Sequence, residues 1–567
     1  MVSSVIGLRD QRSRLPLIVF GWLVPPAVAV LAVIVIVGPG LMPGVGYWDT
    51  GEFQTVAPLL GTAHPTGYPT YVILGFLANV LLTPIGEPAF RMNVFSLLCV
   101  AIAAGAVVRL TIRLTGSTAI GVASGLALAT TPVAWNLATH ADPHTLHLAF
   151  VAVLVALLVR WEHGRRDGEP GANRWLVAAA LAFGLAAGNH SLTLLLAAPI
   201  GLYVLSVHPG IVARPRLIGA CAAVLVGSLV IVYLELPLRA GALGIFRAPL
   251  VYARPDTWDG FWYVALAEQF RGSLNDPLGE IPRKLGEVWQ LAGSQFGIVA
   301  PAIVVGFLAT ALRHPRYALL SGSALLITVL FNASYSNADI SRYYLGPVLW
   351  AWTWLAVLTG VIVQQLTGLE PATEPAAAAT PDVGADAPAE APAAAAEAPR
   401  VVPPEDTGPP VRQPGSGVGR ALPALAGVAL GALLLVPAIG DFEARRHAAD
   451  RSGDTSARQW AEAALSQIER DAVVVSWWST STVLWYVTLV EGERPDIEIV
   501  DDRTRLDLGY GEATDVIARF LGTRPVYVIR ANPYDLGLVL DQYVLEPLTA
   551  APAQNVYRVI RSRGAGS

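Results

Sequence analysis

The fold is decided near the N-terminus by the apolar run PLIVFGWLVPPAVAVLAVIVIV at residues 16–37, with the polar motif GYWDTGEF following at residues 46–53. The apolar run carries no charge, and it is long enough to cross a bilayer core, which an α-helix does in about 20 residues. It is longer than the core of a signal peptide and lacks a small-residue cleavage site. A retained transmembrane helix is therefore predicted, with the acids Asp49 and Glu52 just beyond its end.

The composition of the whole chain agrees with a membrane protein. Of its 567 residues, 54% are hydrophobic and 14% are charged, and the mean hydropathy is +0.51. An average soluble domain is about 25% charged. The net charge of −5 offers no basic surface for nucleic acid. Cys99 and Cys221 both fall in apolar runs, so neither a disulfide nor a cysteine metal site is expected.

Ten further apolar runs are interpreted as membrane spans, at residues 93–108, 118–133, 144–159, 175–188, 191–207, 217–236, 297–312, 317–333, 343–366 and 421–439. The short loops near Arg109, Arg160, Arg214 and Arg313 are rich in arginine, so the positive-inside rule places them and the N-terminus in the cytoplasm. One more apolar run, at residues 68–83, would break this parity if it crossed. It is predicted to lie as a helix on the outer surface, which leaves eleven spans.

The chain is predicted to have four parts. Residues 1–366 form an all-α polytopic domain, and residues 367–420 form a cytoplasmic linker whose Ala- and Pro-rich composition predicts disorder. Residues 421–439 are the last span, and residues 440–567 are an extracytoplasmic tail. Strand-like and helix-like segments alternate in the tail, which predicts a small α/β domain.

Polar residues collect in the external segments rather than in the spans. The first segment contains WDTGEF at residues 48–53 and HPTGYP at residues 64–69. One interpretation is structural: Asp49 and Glu52 would form a capping box for a surface helix over residues 50–60. The other is functional, because two carboxylates and the imidazole of His64 at one membrane face are suited to acid–base work.

The second external segment contains WN at residues 135–136 and HADPHTLH at residues 140–147. Asp142 directly before Pro143 predicts a helix N-cap with proline at the first helical position. The three histidines of this segment leave a metal site open, although His147 on an apolar face is more typical of a satisfied core residue.

Three shorter motifs complete the set, and each has a structural alternative. GNH at residues 188–190 is either a hairpin turn or part of a site, and LPLR at residues 236–239 is either a solvated surface or a phosphate clamp. In the last motif, at residues 339–344, Asp339 and Arg342 either pair with each other or join the site.

Taken together, these motifs resemble those of the GT-C membrane glycosyltransferases, in which a long first external loop carries acids just after the first span. The motifs at residues 48–53 and 64–69 are similar to the signature of a widespread bacterial family of unknown function. An animal transmembrane protein O-mannosyltransferase is a relative of that family. The motifs at residues 135–146, 188–190, 236–239 and 339–344 resemble the same family. One departure is Asp142-Pro143-His144, where the family has Glu-Val-Tyr; the acid is kept and the aromatic is not.

The resemblance implies an inverting glycosyltransferase of the plasma membrane. It would move a sugar, mannose by analogy, from a polyprenyl-phosphate donor to an extracytoplasmic hydroxyl of a protein, such as Ser or Thr, or of a glycan. The implied roles are a base or acceptor-orienting acid for Asp49, support for Glu52 and Asp142, and donor phosphate binding for His64, His190, Arg239 and Arg342. The implied pocket residues are Trp48, Tyr68, Trp135, Asn189 and Asp339. No metal ligand is assigned, although a divalent metal stays open, and the tail is expected to help select the acceptor without a catalytic residue.

Two other classes of function compete with this interpretation. A lipid-linked glycan transporter or flippase would need a polar path across the bilayer, but the predicted spans contain no Asp, Lys or Arg and one glutamate, Glu235. A non-catalytic membrane anchor for the tail would not need acids, histidines and arginines in five external segments.

Overall fold

The computed structural model describes residues 22–273, 277–337, 339–368, 417–530 and 532–564. The start of the first apolar run and nearly all of the linker predicted to be disordered lie outside these residues.

The helices of the membrane domain are α1 (Trp22–Gly40), α2 (Trp48–Leu59), α3 (Pro69–Leu81), α4 (Pro88–Thr115), α5 (Thr118–Ala129), α6 (Pro132–Ala138), α7 (Pro143–Arg166), α8 (Asn173–Asn189), α9 (Ala197–Val207), α10 (Pro215–Tyr233), α11 (Glu235–Arg239), α12 (Trp258–Ala265), α13 (Pro277–Phe296), α14 (Ala302–Arg313), α15 (Pro315–Ser334), α16 (Leu345–Thr367) and α17 (Gly417–Leu433).

The helices confirm a multi-pass membrane protein. In the described ranges, six helices are long and apolar enough to cross a bilayer, and two sharply bent pairs would raise the number to eight. The bends are corrections to the predicted straight spans: α5 meets α6 at 67° just before Pro132, and the helical stretch Gly279–Val299 meets α14 at 82° beside Pro301. Proline has no amide hydrogen to donate and disfavours helix at the residue before it, so breaks occur there. The eleven-span arrangement stays a prediction, and α3 is a short apolar helix of 13 residues.

The core of the membrane domain is built around α4, α7 and α16, whose largest buried side chains include Trp161, Trp350 and Trp352. Small residues let the helices approach closely. A Cβ added to Gly125 of α5 would lie 2.6 Å from the carbonyl oxygen of Ala104 in α4. Small residues at contacts are typical of membrane helix packing, because the lipid offers no hydrophobic driving force between helices. The packed core gives the outer ends of these helices fixed positions.

The tail confirms the predicted small α/β domain. Its five-stranded sheet has the order β2-β1-β3-β5-β4, and β1, β2 and β3 run parallel while β5 is antiparallel to β3 and β4. The strands are β1 (Val473–Val475), β2 (Glu498–Val500), β3 (Val526–Ile529), β4 (Tyr543–Pro547) and β5 (Val556–Ser562). The helices that precede and surround the sheet are α18 (Val436–Gly440), α19 (Phe442–Ala449), α20 (Ser456–Gln467), α21 (Trp478–Trp485), α22 (Thr504–Asp507), α23 (Ala513–Phe520) and α24 (Pro533–Gln542).

The C-terminal domain packs directly on the membrane domain. The Tyr486 hydroxyl accepts a hydrogen bond from the backbone N–H of Ala89 at 3.0 Å. A Cβ added to Gly51 of α2 would lie 2.9 Å from the hydroxyl oxygen of Thr482 in α21. The two domains therefore meet beside α2, the helix that carries the first acidic motif.

Candidate active site

The first two acids lie on α2, and tertiary partners occupy both of them. The helix has Tyr47 as its N-cap, and no side chain caps its amides, so the predicted capping box is wrong. Asp49 instead approaches Arg342, whose Nη1 donates to Asp49 Oδ2 at 3.1 Å. Glu52 accepts a hydrogen bond from the backbone N–H of His64 at 2.7 Å. Both carboxylates are therefore bonded to residues outside α2 rather than to the amides of the helix.

Arg342 joins three distant segments of the chain. Its Nη1 lies 3.1 Å from Asp49 Oδ2 and 3.5 Å from Asp142 Oδ2, so one guanidinium bridges two carboxylates. The alternative pairing with Asp339 is wrong, because Asp339 Oδ1 accepts a hydrogen bond from the Ser341 hydroxyl at 2.6 Å. Arg342 Nε is buried and has no hydrogen-bond partner among the described residues, so one donor of the guanidinium is available.

Asp142 confirms the predicted N-cap of α7. Its Oδ1 accepts from the backbone N–H of His144 at 2.7 Å and lies 2.9 Å from His144 Nδ1, and Pro143 is the first helical residue. Burial raises the pKa of the Asp142 carboxyl, but His144 and Arg342 lower this pKa by more, so it is held well below its usual range. Asp142 is therefore a buried, ionised group that orients Arg342.

Glu52 and His64 form a buried pair in which Glu52 Oε2 lies 2.5 Å from His64 Nδ1. Burial raises the pKa of Glu52, against the opposing effect of His64. Burial lowers the pKa of His64, but the Glu52 and Asp49 carboxylates raise this pKa by more, so the net shift is upward. The other ring nitrogen, Nε2, lies 3.3 Å from the Tyr68 hydroxyl. Glu52 therefore orients His64 and favours its protonated form.

Three imidazoles lie beside these charges. The ring centroids of His144 and His190 are 4.6 Å apart, and those of His147 and His190 are 5.7 Å apart. His147 Nδ1 lies 3.2 Å from the Thr193 hydroxyl, so this residue is the hydrogen-bonded core histidine that the sequence favoured. His190 Nδ1 accepts from the backbone N–H of Leu192 at 3.1 Å, so the proton of a neutral ring resides on Nε2.

His190 is the clearest neutral hydrogen-bond donor of the site. Burial lowers the pKa of His190 well below its usual value, and neighbouring His144 and His147 lower it further. Its Nε2 is buried without a hydrogen-bond partner in the ranges that the structure describes. An N–H group in this state can serve an incoming oxygen without displacing a protein partner.

Arg239 lies at the opposite end of α2 from Asp49. Its Nε donates to the carbonyl oxygen of Leu60 at 3.0 Å, its Nη2 to that of Leu59 at 3.1 Å, and its Nη1 to that of Phe246 at 3.1 Å. The carbonyls of Leu59 and Leu60 are acceptors that the end of α2 leaves free. The structure therefore places Arg239 as a cap for α2 and does not bring it to the other predicted phosphate ligands.

The predicted pocket residues differ in how they relate to the cluster of charges. Tyr68 lies in the cluster through its contact with His64, whereas Trp135 packs on Phe442 at a ring-centroid distance of 5.4 Å. Asn189 donates to the carbonyl oxygen of Pro143 at 3.1 Å and so supports the start of α7. Trp48 has 56% of its surface exposed beside Asp49.

Trp478, from the first turn of α21 in the C-terminal domain, is a site residue that the sequence did not reveal. Its ring centroid lies 5.8 Å from that of His64 and 5.8 Å from that of Tyr252. Trp477, Trp478 and Trp485 are close in sequence, and such a cluster either stacks on sugar rings or, more often, forms a small core, so the sequence does not distinguish Trp478 from the other two. The C-terminal domain thus supplies one aromatic wall of the cluster.

One group in this cluster has the geometry to hold a metal ion. Asp49, Glu52 and His64 each offer a ligand atom, and these atoms all lie within 4.8 Å of one another. The pairs Asp49–Arg342 and Glu52–His64 already neutralise both carboxylates. A divalent cation would have to replace Arg342 on Asp49 and the proton between Glu52 and His64.

Sequence comparison confirms the resemblance that the motifs indicated. Residues 49–209 match the model of the Protein O-mannosyl-transferase TMEM260 N-terminal domain. Protein O-mannosyl-transferase TMEM260 of Mus musculus is 34% identical over 188 residues, which are 33% of this chain and 25% of the mouse protein. The match therefore spans about a quarter of the length of that curated relative. The family-model match over residues 49–209 includes Asp49, Glu52, His64, Asp142 and His190, and it ends before Arg342 and Trp478.

Solved structures confirm the GT-C fold over nearly the whole chain. ArnT from Cupriavidus metallidurans in the apo state aligns with a TM-score of 0.50 and 13% identity, over 95% of this chain and 98% of ArnT. The oligosaccharyltransferase of Archaeoglobus fulgidus tethered with an acceptor peptide aligns with a TM-score of 0.52 and 13% identity, over 96% of this chain and 74% of that protein. At this identity the likeness concerns the fold alone.

Proposed function

We propose that this chain is an inverting glycosyltransferase that moves a sugar from a polyprenyl-phosphate donor to an acceptor hydroxyl outside the plasma membrane. The observation that carries the proposal is the bridge of Arg342 between Asp49 and Asp142 beside the Glu52–His64 pair. Mannose is favoured because the matched family model is that of an O-mannosyl-transferase. The acceptor would be a protein Ser or Thr, or a glycan hydroxyl.

Different surroundings give the three acids different roles. The side chain of Asp49 is 27% exposed, whereas those of Glu52 and Asp142 are 1% and 4% exposed. Glu52 is occupied by His64, and Asp142 is occupied by His144 and Arg342. Asp49 also pairs with Arg342, through Oδ2, but it is the most exposed of the three acids. We therefore assign the acceptor proton to Asp49, and positioned base catalysis is worth about 10²–10⁴-fold in rate.

The reaction is a single displacement at the anomeric carbon. The acceptor oxygen forms a bond to that carbon, the bond from the carbon to the phosphate oxygen breaks, and the acceptor proton moves to Asp49. The polyprenyl phosphate leaves with the electron pair of the broken bond, and its charge is met by Arg342, protonated His64 and the Nε2–H of His190. Removing one such charge-stabilising donor typically costs about 10²–10³-fold in turnover.

The direct test is release of labelled mannose from a radiolabelled polyprenyl-phosphate mannose by the purified protein in detergent. Transfer to a hydroxyl acceptor, or slow hydrolysis in its absence, is expected from the wild-type chain. Movement of intact donor across a liposome membrane without bond cleavage would instead identify a lipid transporter. Neither cleavage nor movement would leave the membrane anchor as the better interpretation.

The orientation is tested separately, because it decides which side of the membrane the site faces. A reporter enzyme that is active only outside the cytoplasm should be active when fused at residue 85 or 445 and inactive when fused at residue 165 or 385. The expectation follows from the arginine-rich loops on the cytoplasmic side. Activity at residue 165 combined with silence at residue 445 would invert the proposed arrangement.

A further inference from the structure

Several charged groups of the C-terminal domain meet where its three parallel strands end. Asp501 and Asp502 follow β2, Ser476 follows β1, and Arg530 follows β3. Arg530 Nη1 donates to the carbonyl oxygen of Ser476 at 2.7 Å, so the ends of β1 and β3 are joined through this side chain. In the order β2-β1-β3, the chain passes from β1 to β2 on one side and then crosses back to β3 on the other side of β1. Ligands of open α/β sheets bind at such a switch point.

These groups are buried without full hydrogen bonding. Arg530 is 6% exposed and Asp501 is 1% exposed. Arg530 Nη2, Asp501 Oδ2 and Asp502 Oδ2 have no hydrogen-bond partner in the described part of the chain, and Nη2 lies 3.6 Å from Asp502 Oδ1. Burying such atoms unpaired is costly, and folded proteins keep few of them, so each requires an explanation.

At the opposite ends of the same strands, the charged side chains have hydrogen-bond partners. Asp496, before β2, receives Arg494 Nε at 3.0 Å and Nη2 at 2.9 Å. Arg524, before β3, donates to Glu498 and to the carbonyl oxygen of Asp471. The charges at the amino ends of the strands are thus paired within the domain, and the unpaired atoms are at the carboxyl ends, where a ligand would bind.

The charges at the carboxyl ends favour one class of ligand. A metal cation is disfavoured because Arg530 and Arg505 both lie beside the Asp502 carboxylate, at 3.6 and 3.7 Å from its Oδ1, and a phosphate is disfavoured because Asp501 and Asp502 would repel it. A neutral molecule with several hydroxyl groups suits both, since its O–H groups can donate to Asp501 and Asp502 and its oxygens can accept from Arg530.

We propose that this strand-end cluster of Ser476, Asp501, Asp502 and Arg530 is a binding site for a neutral saccharide. The turns that form it also reach the membrane domain: Trp478 follows Ser476 by two residues and contacts His64, and Arg503 donates to the Tyr263 hydroxyl at 3.1 Å. A bound saccharide is therefore held by the same segments that border the candidate active site. Saccharide binding is independent of the proposed transfer reaction and is measured without any donor.

The test is saturation-transfer difference NMR on the full-length protein in lipid nanodiscs, titrated with α-1,2-mannobiose, maltose and chitobiose. At least one disaccharide should receive saturation. Asp502→Asn and Arg530→Gln should weaken its affinity at least about 10-fold, because each removes a charged hydrogen-bonding group from the ligand. The matched controls are Asp496→Asn and Arg524→Gln, which remove the same charges from the other ends of the same two strands and should bind like wild type.

Three results would overturn the saccharide site. They are the absence of saturation transfer to every disaccharide, equal weakening by Asp496→Asn and Asp502→Asn, and displacement of the sugar by inorganic phosphate or Mg²⁺. Near-ultraviolet circular dichroism checks the fold of each variant. If Arg530→Gln unfolds the domain, Asp502→Asn decides, because the Asp502 side chain is already 30% exposed. Sugar release from the donor is a separate assay, so either proposal can fail while the other stands.

Discussion

The membrane domain and the C-terminal domain contribute different kinds of side chain to the candidate active site. Among the described residues, the charged groups of the cluster all come from the membrane domain: Asp49, Glu52, His64, Asp142 and Arg342. The C-terminal domain contributes the uncharged ring of Trp478. A carboxylate can take up a proton and a cation can stabilise a leaving phosphate, whereas an indole ring can only shape the site and exclude water from it. Under the proposed transfer reaction, bond-making therefore falls to the membrane domain and substrate fit to the C-terminal domain.

The two regions also pair their charges over different distances along the chain. Asp49 and Arg342 are 293 positions apart in sequence. Within the C-terminal domain the charge pairs lie closer along the chain, from 2 positions apart for Arg494 and Asp496 to 89 positions apart for Arg558 and Glu469. Long-range pairs depend on correct packing of the helices, so the membrane site and its scaffold should be lost together when the packing is disturbed.

Replacement of Asp49 is the strongest challenge to this division of labour. Asp49→Asn should lower transfer by about 10²–10⁴-fold, because the proposed base is lost while the shape of the side chain is kept. The measurement is kcat for labelled mannose transfer, with donor binding followed in parallel. Asp259→Asn, at an exposed position of α12, is the control and should transfer like wild type. Near-normal turnover by Asp49→Asn would remove the catalytic role of Asp49.

The next largest effect is expected in the pH dependence of Glu52→Gln. The Glu52 carboxylate raises the pKa of His64 against burial, which lowers it. Removing that carboxylate leaves Asp49 as the remaining carboxylate that opposes the effect of burial, so the pKa of His64 should fall and its proton should be lost at lower pH. The alkaline limb of the pH profile for kcat should then move to lower pH, and NMR of ¹³C-labelled histidine should show the same shift. An unmoved alkaline limb would mean that protonated His64 has no part in transfer.

The sequence predicted the fold class and the position of the first external motif because both follow from local pattern. Apolar runs of about 20 residues identify membrane helices without knowledge of their partners. The partners of Asp49 could not be predicted in the same way, since a capping box and a long-range ion pair place the same residues at the same spacing. Similarly, Trp478 could not be distinguished from the neighbouring tryptophans, because only the docking of the two domains brings it to His64.

Trp478→Ala tests the contribution of the C-terminal domain. Loss of one aromatic contact is worth about 0.5–1.5 kcal/mol, or roughly 2–13-fold, so a moderate effect is expected. It should appear mainly as a higher KM for the acceptor, with kcat changed little. Trp258→Ala, which removes a 74% exposed tryptophan from α12, is the matched control and should leave both constants unchanged. A loss as large as that of Asp49→Asn would contradict the division of labour, since it would give the tail a part in bond formation.

The smallest effect on turnover is expected from Arg239→Gln. The side chain caps the carbonyl oxygens of Leu59 and Leu60 at the end of α2, far along the helix from Asp49. Loss of these bonds should destabilise the helix end by about 1–3 kcal/mol, because carbonyls are left without a charged donor. The melting temperature should therefore fall by a few degrees, while transfer stays within about 3-fold of wild type.

Arg239→Lys separates this capping role from the phosphate-binding role that the sequence alone indicates. A lysine keeps the positive charge, but it cannot donate in three fixed directions as the guanidinium does. If Arg239 is a cap, the lysine variant should be as thermally unstable as Arg239→Gln, and both should keep nearly normal turnover. If Arg239 binds the donor phosphate, the lysine variant should retain much of the activity that the glutamine variant loses, with unchanged melting temperatures. Thermal melts and donor KM measured on the same two preparations distinguish these outcomes, because only the cap couples Arg239 to the stability of the helix that carries Asp49.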